Sequence, residues 1–84
     1  IMKVYPQVMI NVTVTDKPDL NTVDTIRAAI ERVEERLGEK GRVLVRYSGT
    51  QPLCRVMVEG PSRDITAQYC REIAGTIKTA LSPQ

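Results

Sequence analysis

The residues best equipped for chemistry lie in one run, Arg46-Tyr47-Ser48-Gly49-Thr50-Gln51-Pro52-Leu53-Cys54-Arg55. Two hydroxyls, a glycine and a proline sit between arginine shoulders, and that set suits a phosphate group. Gly49 tolerates positive φ, so successive backbone N–H groups can point into one concavity. Ser48 and Thr50 add hydroxyl donors. Pro52 stiffens the exit of the turn. Arg46 and Arg55 each offer a planar fork that fits two oxygens of a dianion. A plainer reading stands beside this one: Ser-Gly-Thr and Gln-Pro are ordinary turn formers, and arginines beside turns are common solvated edge residues.

No second constellation competes with this run. The chain has no histidine, which removes the commonest acid–base residue and the commonest zinc ligand. Cys54 and Cys70 are too few and too widely spaced for a disulfide scaffold or a zinc site. Their apolar neighbours predict reduced, buried thiols. No nucleophile is paired with a base, and no two carboxylates share a task. The chain alone is not expected to be catalytic.

The elements that must hold the run can be read on either side of it. Val43-Leu44-Val45 and Val56-Met57-Val58 are β-like, so the run is the tip of a hairpin or of two adjacent strands. Strict alternation over 42–47 and 54–59 puts Val43, Val45, Tyr47, Cys54, Val56 and Val58 on one side. Arg46 and Arg55 then project from the other side, with Leu44 and Met57. Upstream, residues 7–15 alternate in the same way, with Val8, Ile10, Val12 and Val14 inward and Met9 outward. An outer face carrying apolar residues beside two arginines suits docking onto another domain and a charged ligand, although scattered surface apolars need no such explanation.

Two helices complete the pattern. Val23, Ile26, Ile30, Val33 and Leu37, with Ala29, follow helical spacing after a cap at Asn21 or Thr22, and Gly38 is the expected stop. The mixed charges on the other face of this helix describe a solvated surface. Ser62 caps the second helix, whose predicted stripe is Ile65, Tyr69, Cys70, Ile73, Ile77 and Leu81, and Ser82-Pro83-Gln84 ends it. Gly75 within it is expected to permit close packing against the first helix or the sheet. The order strand, helix, strand, strand, helix predicts an α+β two-layer sandwich: a small, mainly antiparallel sheet with two helices on one face. A short extra strand near Lys17 or Arg63 also fits.

Composition bounds the partners. Eighty-four residues predict one domain with a modest core. Twelve Lys+Arg against ten Asp+Glu give a net charge of +2, too balanced to announce a nucleic acid or a membrane surface. No apolar run is long enough for a membrane span and no signal-peptide pattern is present, so a cytoplasmic location is the default expectation.

Arg-x-Ser-Gly-Thr-x-Pro-Leu-x-Arg followed by Val-Met-Val-Glu-Gly resembles the C-terminal (fourth) domain of the bacterial phosphoglucosamine mutase family, within the α-D-phosphohexomutase superfamily. The likeness extends through Tyr5-Pro6-Gln7, the first strand, the helix ending near Gly38, and Gly41 to Arg46. It implies that residues 1–6 are the tail of a linker from a preceding domain and that 7–84 are the domain itself, with a TATA-binding-protein-like fold. It implies a role for Arg46, Ser48, Gly49, Thr50 and Arg55 in binding the phosphate of a hexosamine phosphate that is not being transferred. The family's phosphoserine, magnesium-binding aspartates and sugar-recognition loop belong to its first three domains. The implied partners are therefore those domains and the substrate, with no nucleic acid and no membrane, and magnesium would be bound outside this chain. The family usually has glutamate where this chain has Gln51, so one negative charge beside the site is absent here. Two other expectations remain: a docking domain whose loop makes only interdomain contacts, and a small nucleic-acid-binding module. The near-neutral charge and the lack of Phe and Trp weigh against the second.

Overall fold

The structure, a computed structural model, describes residues 5–81. Three strands, β1 (Gln7–Thr13), β2 (Arg42–Tyr47) and β3 (Leu53–Glu59), and two helices, α1 (Asp24–Leu37) and α2 (Arg63–Leu81), follow in the order β1-α1-β2-β3-α2. The sheet order is β1-β3-β2, and both pairings are antiparallel. Both helices lie on one face. α2 packs against β1 and β3, and α1 packs against α2 and β2. The architecture is an α+β two-layer sandwich.

The alternation explains why the layers meet as they do. Val12, Val14, Cys54, Val56 and Val58 are buried against Ile26, Ala29, Val33 and Leu37 of α1 and Cys70, Ile73 and Ile77 of α2. Val8, Ile10, Val43, Val45 and Tyr47 pack on the margin of that core. Both cysteines are free and buried. The Cys70 thiol donates to the carbonyls of Val8 and Val56, each at 3.4 Å, which pins the middle of α2 to the β1–β3 pair. Burial raises the pKa of Cys54. Burial likewise raises that of Cys70, against an opposing pull from the backbone of Ile10 and Val58 and the charge of Arg71.

Several local expectations are corrected. α1 has no side-chain cap at Asn21 or Thr22; its N-cap is Val23. The Thr22 hydroxyl instead donates to the Asp19 carbonyl at 2.6 Å, and the Asp19 carboxylate accepts from the Asn21 N–H at 3.0 Å. These bonds hold Leu20–Thr22 in a short 3₁₀ turn ahead of the helix. β1 ends at Thr13, because the N–H groups of Val14 and Thr15 go to Pro52 and Leu81 rather than to a strand partner. In α2, Ile65 is exposed and Thr66 is fully buried in its place. The Thr66 hydroxyl donates to the Ser62 carbonyl, which satisfies the one fully buried hydroxyl among the described residues. Gly75 is exposed, and a Cβ there would meet nothing within 4 Å, so it does not serve close packing. Among the described residues no strand forms near Lys17 or Arg63. Gly38 ends α1 as expected, with φ +56° and its N–H on the Glu34 carbonyl. Ser62 caps α2, its hydroxyl accepting from the Ile65 N–H at 3.3 Å. Tyr5 is half-buried, and the Pro6 carbonyl accepts from the Gly60 N–H at 3.1 Å. The expected helix stop at 82–84 and residues 1–4 of the expected linker lie outside the described residues.

Candidate anion-binding site

The register of the sheet sorts its open face into rows. Gln7, Glu59 and Arg42 stand side by side at one end, then Met9, Met57 and Leu44, then Asn11, Arg55 and Arg46, nearest the hairpin tip. The first row is internally satisfied: Gln7 donates to Glu59 at 2.8 Å, and Arg42 lies 3.9 Å from the same carboxylate. The second row is apolar and open to solvent, with Met9 60% and Leu44 42% exposed. The third row holds two arginines in directly facing register positions. Among the described residues neither has a carboxylate partner, since the ion pairs there are Arg27–Asp24, Arg32–Glu72 and Arg42–Glu59. Like charges in facing cross-strand positions destabilise a sheet. This local conflict carries no compensation from an ion pair within the described residues.

The tip between those arginines is closed by the Ser48 N–H donating to the Leu53 carbonyl at 2.8 Å. A tight turn around Pro52 follows, with the Leu53 N–H on the Gln51 carbonyl at 2.7 Å, and the Pro52 carbonyl accepts from the Val14 N–H at 2.8 Å. Pro52 thus fixes the exit of the loop and ties it to the end of β1. The Ser48 hydroxyl oxygen accepts from the N–H groups of Thr50 at 3.4 Å and Gln51 at 3.3 Å. Two N–H groups expected to face a ligand are therefore turned onto Ser48 itself. Gly49 does not use positive φ; among the described residues only Gly38 does. Its N–H has no acceptor among the described residues, and a Cβ at Gly49 would meet nothing within 4 Å. Nothing within the described fold requires a glycine there.

The structure thus gathers all five predicted residues at one end of the sheet: Arg46 and Arg55 on the open face, and Ser48, Gly49 and Thr50 at the tip between them. The donors left over are two guanidinium forks, the Gly49 N–H, and the Ser48 and Thr50 hydroxyl protons. Their shared chemistry is to receive an anion with several oxygens.

Sequence reasoning missed the connector between β1 and α1. It crosses the tip on the helix side, where the Tyr47 hydroxyl donates to the Pro18 carbonyl at 2.6 Å and the Lys17 ammonium donates to the Ser48 carbonyl at 2.7 Å. Burial, then the nearby charges of Cys54 and Asp19, push the Tyr47 phenol above its ordinary pKa, so it stays protonated as the donor. Lys17 lies 31 residues from Ser48 in the chain, and only the topology joins them. The pattern of the sequence held no signal for it. Among the described residues no group of three or more Cys, Asp and Glu converges where it could hold a metal ion, and no helix is long and apolar enough to cross a membrane. A surface depression of about 880 Å³ lies on the solvent side of the helix layer beside Thr25, Ala28, Arg32, Arg71, Glu72 and Gly75. Its lining includes the Arg32–Glu72 ion pair at 3.3 Å and Arg71, a single guanidinium with no carboxylate partner among the described residues; it lacks the facing arginine pair and the open Gly49 N–H of the tip.

Residues 9–76 match the sequence profile of the family described as "Phosphoglucomutase/phosphomannomutase, C-terminal domain". A phosphoglucosamine mutase of Syntrophobacter fumaroxidans is 56% identical over 81 residues, covering 96% of this chain and 18% of that protein. A phosphoglucosamine mutase of Syntrophus aciditrophicus is 54% identical with the same coverage of both. Among solved structures, an Aspergillus fumigatus N-acetylphosphoglucosamine mutase variant in complex with glucose 1,6-bisphosphate superposes with a TM-score of 0.77 at 25% identity, covering 94% of this chain and 16% of that one. The same Aspergillus enzyme in complex with GlcNAc-6P and magnesium gives a TM-score of 0.77 at 23% identity, covering 93% and 16%, a likeness of fold. The chain spans about a fifth of the length of the curated relatives it matches.

Proposed function

The chain belongs to the phosphoglucomutase/phosphomannomutase C-terminal domain family, and from that premise we propose that it is the substrate-phosphate-binding domain of a phosphoglucosamine mutase. Such an enzyme interconverts glucosamine 6-phosphate and glucosamine 1-phosphate, and residues 7–84 would form its last domain. The observation that carries the reading is the opposed, unpaired Arg46 and Arg55 beside a tip whose Gly49 N–H is free. In this reading Arg46, Ser48, Gly49, Thr50 and Arg55 hold the phosphate that does not react, while the other end of the sugar faces groups elsewhere in the enzyme. Gripping phosphate oxygens and not sugar hydroxyls lets one site accept the bisphosphate intermediate in either orientation. The contribution to rate is positioning: binding energy remote from the reacting bond holds that bond in line.

The described residues do not fit the magnesium that mutases of this family use, because no carboxylate cluster is present. That ion would be held by residues outside this chain. The row of exposed Met9 and Leu44 with half-buried Met57 between them, beside the arginines, is where the remainder of the enzyme would pack, continuous with the anion site.

Amide and arginine side-chain NMR shifts during titration with glucosamine 6-phosphate, at ionic strength held constant with sodium chloride, test the proposal. The Gly49 and Thr50 amides and the Arg46 and Arg55 Nε groups should move together, with a Kd on the order of 1–10 mM for one anchored phosphate. If these signals stay still while another surface responds, the assignment fails. A loop used only for interdomain docking would give no response anywhere. A response to an oligonucleotide that weakens steeply with salt would favour a nucleic-acid module.

A further inference from the structure

We propose that Lys17 is a positioning residue of the anion site: its ammonium holds the Ser48 carbonyl and so aims the Gly49 N–H at the phosphate. The inference rests on the anion-binding reading above and deepens it. The peptide unit joining Ser48 and Gly49 is trans, as are all those described. In a trans peptide the C=O of one residue and the N–H of the next point in opposite directions. Whatever fixes the Ser48 carbonyl therefore fixes the Gly49 N–H. Lys17 reaches that carbonyl from the connector, which is anchored on the helix side by the Tyr47 hydroxyl on Pro18. Arg46 and Arg55 leave the sheet from the face opposite Tyr47. With the carbonyl drawn towards Lys17, the Gly49 N–H is turned away from it, and that donor has no acceptor among the described residues.

The arrangement has a further consequence for charge. The ammonium carries three N–H donors, and one is spent on Ser48. The others, and the charge itself, remain beside the loop, with arginines on one side of the backbone and a lysine on the other. A dianion at the tip then meets three cations, one of them contributed by a segment far away in the chain.

The test is a titration with inorganic phosphate at constant ionic strength, read on the Gly49 amide, for the wild-type chain and three variants. Lys17→Met removes the hold on Ser48. Lys17→Arg keeps a cationic donor of similar reach. Lys40→Met removes the same charge at the opposite end of β2 and controls for net charge. Lys17→Met should weaken phosphate binding about five- to tenfold, the scale of one ordinary hydrogen bond, and should shrink the phosphate-induced shift of the Gly49 amide. Lys17→Arg should restore most of both. Lys40→Met should stay within about twofold of wild type. Equal affinities for Lys17→Met and Lys40→Met, with an unchanged Gly49 response, would overturn the role of Lys17 and leave the anion site standing. A wild-type chain whose tip ignores phosphate would overturn the anion site and this inference with it. Melting temperatures of the same variants guard against a general loss of fold, which would displace amides across the whole sheet.

Discussion

If Arg46 and Arg55 are kept for a ligand, the domain should become more stable when either is removed. The register places them directly opposite on the open face, with Asn11 as the third member of the row and no carboxylate partner among the described residues. At a separation of about 6 Å in a water-like dielectric, two unit charges repel by roughly 0.7 kcal/mol, within the range for unfavourable cross-strand pairs. Arg46→Thr and Arg55→Thr should each gain about that much, which for a domain of this size is a rise in Tm of roughly 3–5 °C. The double variant should gain no second increment from charge, so a double-mutant cycle isolates a repulsive coupling of about 0.7 kcal/mol. Threonine also suits a strand, but that contribution does not depend on salt. Urea unfolding at about 20 mM and about 500 mM sodium chloride therefore separates the two, because at the higher salt the screening length falls to about 4 Å. Arg42→Thr is the control, since it removes a cation that already has Glu59 and should not stabilise. Phosphate should reverse the order. At about 50 mM phosphate and a Kd of about 5 mM, the wild type gains about 1.4 kcal/mol by linkage, and the arginine variants lose most of that gain. A coupling that is absent at low salt, or one that survives high salt unchanged, refutes the reasoning.

Two further outcomes follow from the fold. Gly75→Ala should stabilise by about 1 kcal/mol, seen as a higher Tm, because the site is helical, exposed and open to a Cβ; Gly60→Ala should instead destabilise by about 1–3 kcal/mol, since its Cβ would press on Thr66 Oγ1 at 2.6 Å and Leu37 at 3.1 Å. Stability should also fall at alkaline pH. The Cys54 and Cys70 thiols have folded pKa values raised above the ordinary 9.0. The unfolded chain therefore ionises first, and stability present below about pH 9 is lost as pH climbs through the raised values. Replacing both cysteines with alanine should flatten that loss in chemical unfolding measured from pH 8 to pH 11.

The arginine shoulders and the strands that carry them were legible because a period of two fixes which side chains share a face. The core faces of all three strands and most of α1 could be read from the chain for the same reason. Ile65 and Thr66 could not, since hydropathy favours burying the isoleucine over its polar neighbour. Only the Ser62 carbonyl, poised to accept the Thr66 hydroxyl, makes the polar residue the better one to bury. The start of α1 was misread because Asp19 and Thr22 bond each other's backbone neighbourhood, which competes with capping. At the site, residue types marked the donors but not their use. Ser48 turns two N–H groups onto itself, and Gly49 stays out of the left-handed region. Lys17 reaches the loop only because β1, at one edge of the sheet, must connect across the tip to reach α1.

That connection bears on how a domain with so small a core would hold the proposed anion in place. Loops are the least stable parts of a fold, and a site built on loop atoms alone would be loose. Here the two strongest charges leave from strand residues locked in register. The tip is fastened at both ends, by Ser48 to Leu53 and by Pro52 to Val14. Lys17 and Tyr47 bind the connector to it from behind. Only the Gly49 N–H and the two hydroxyl protons are left to adapt, and these groups can follow a phosphate by small rotations without disturbing the sheet. A site of this design spends little ordering entropy on binding. On the proposed reading, a dianion lying between Arg46 and Arg55 would relieve their cross-strand repulsion.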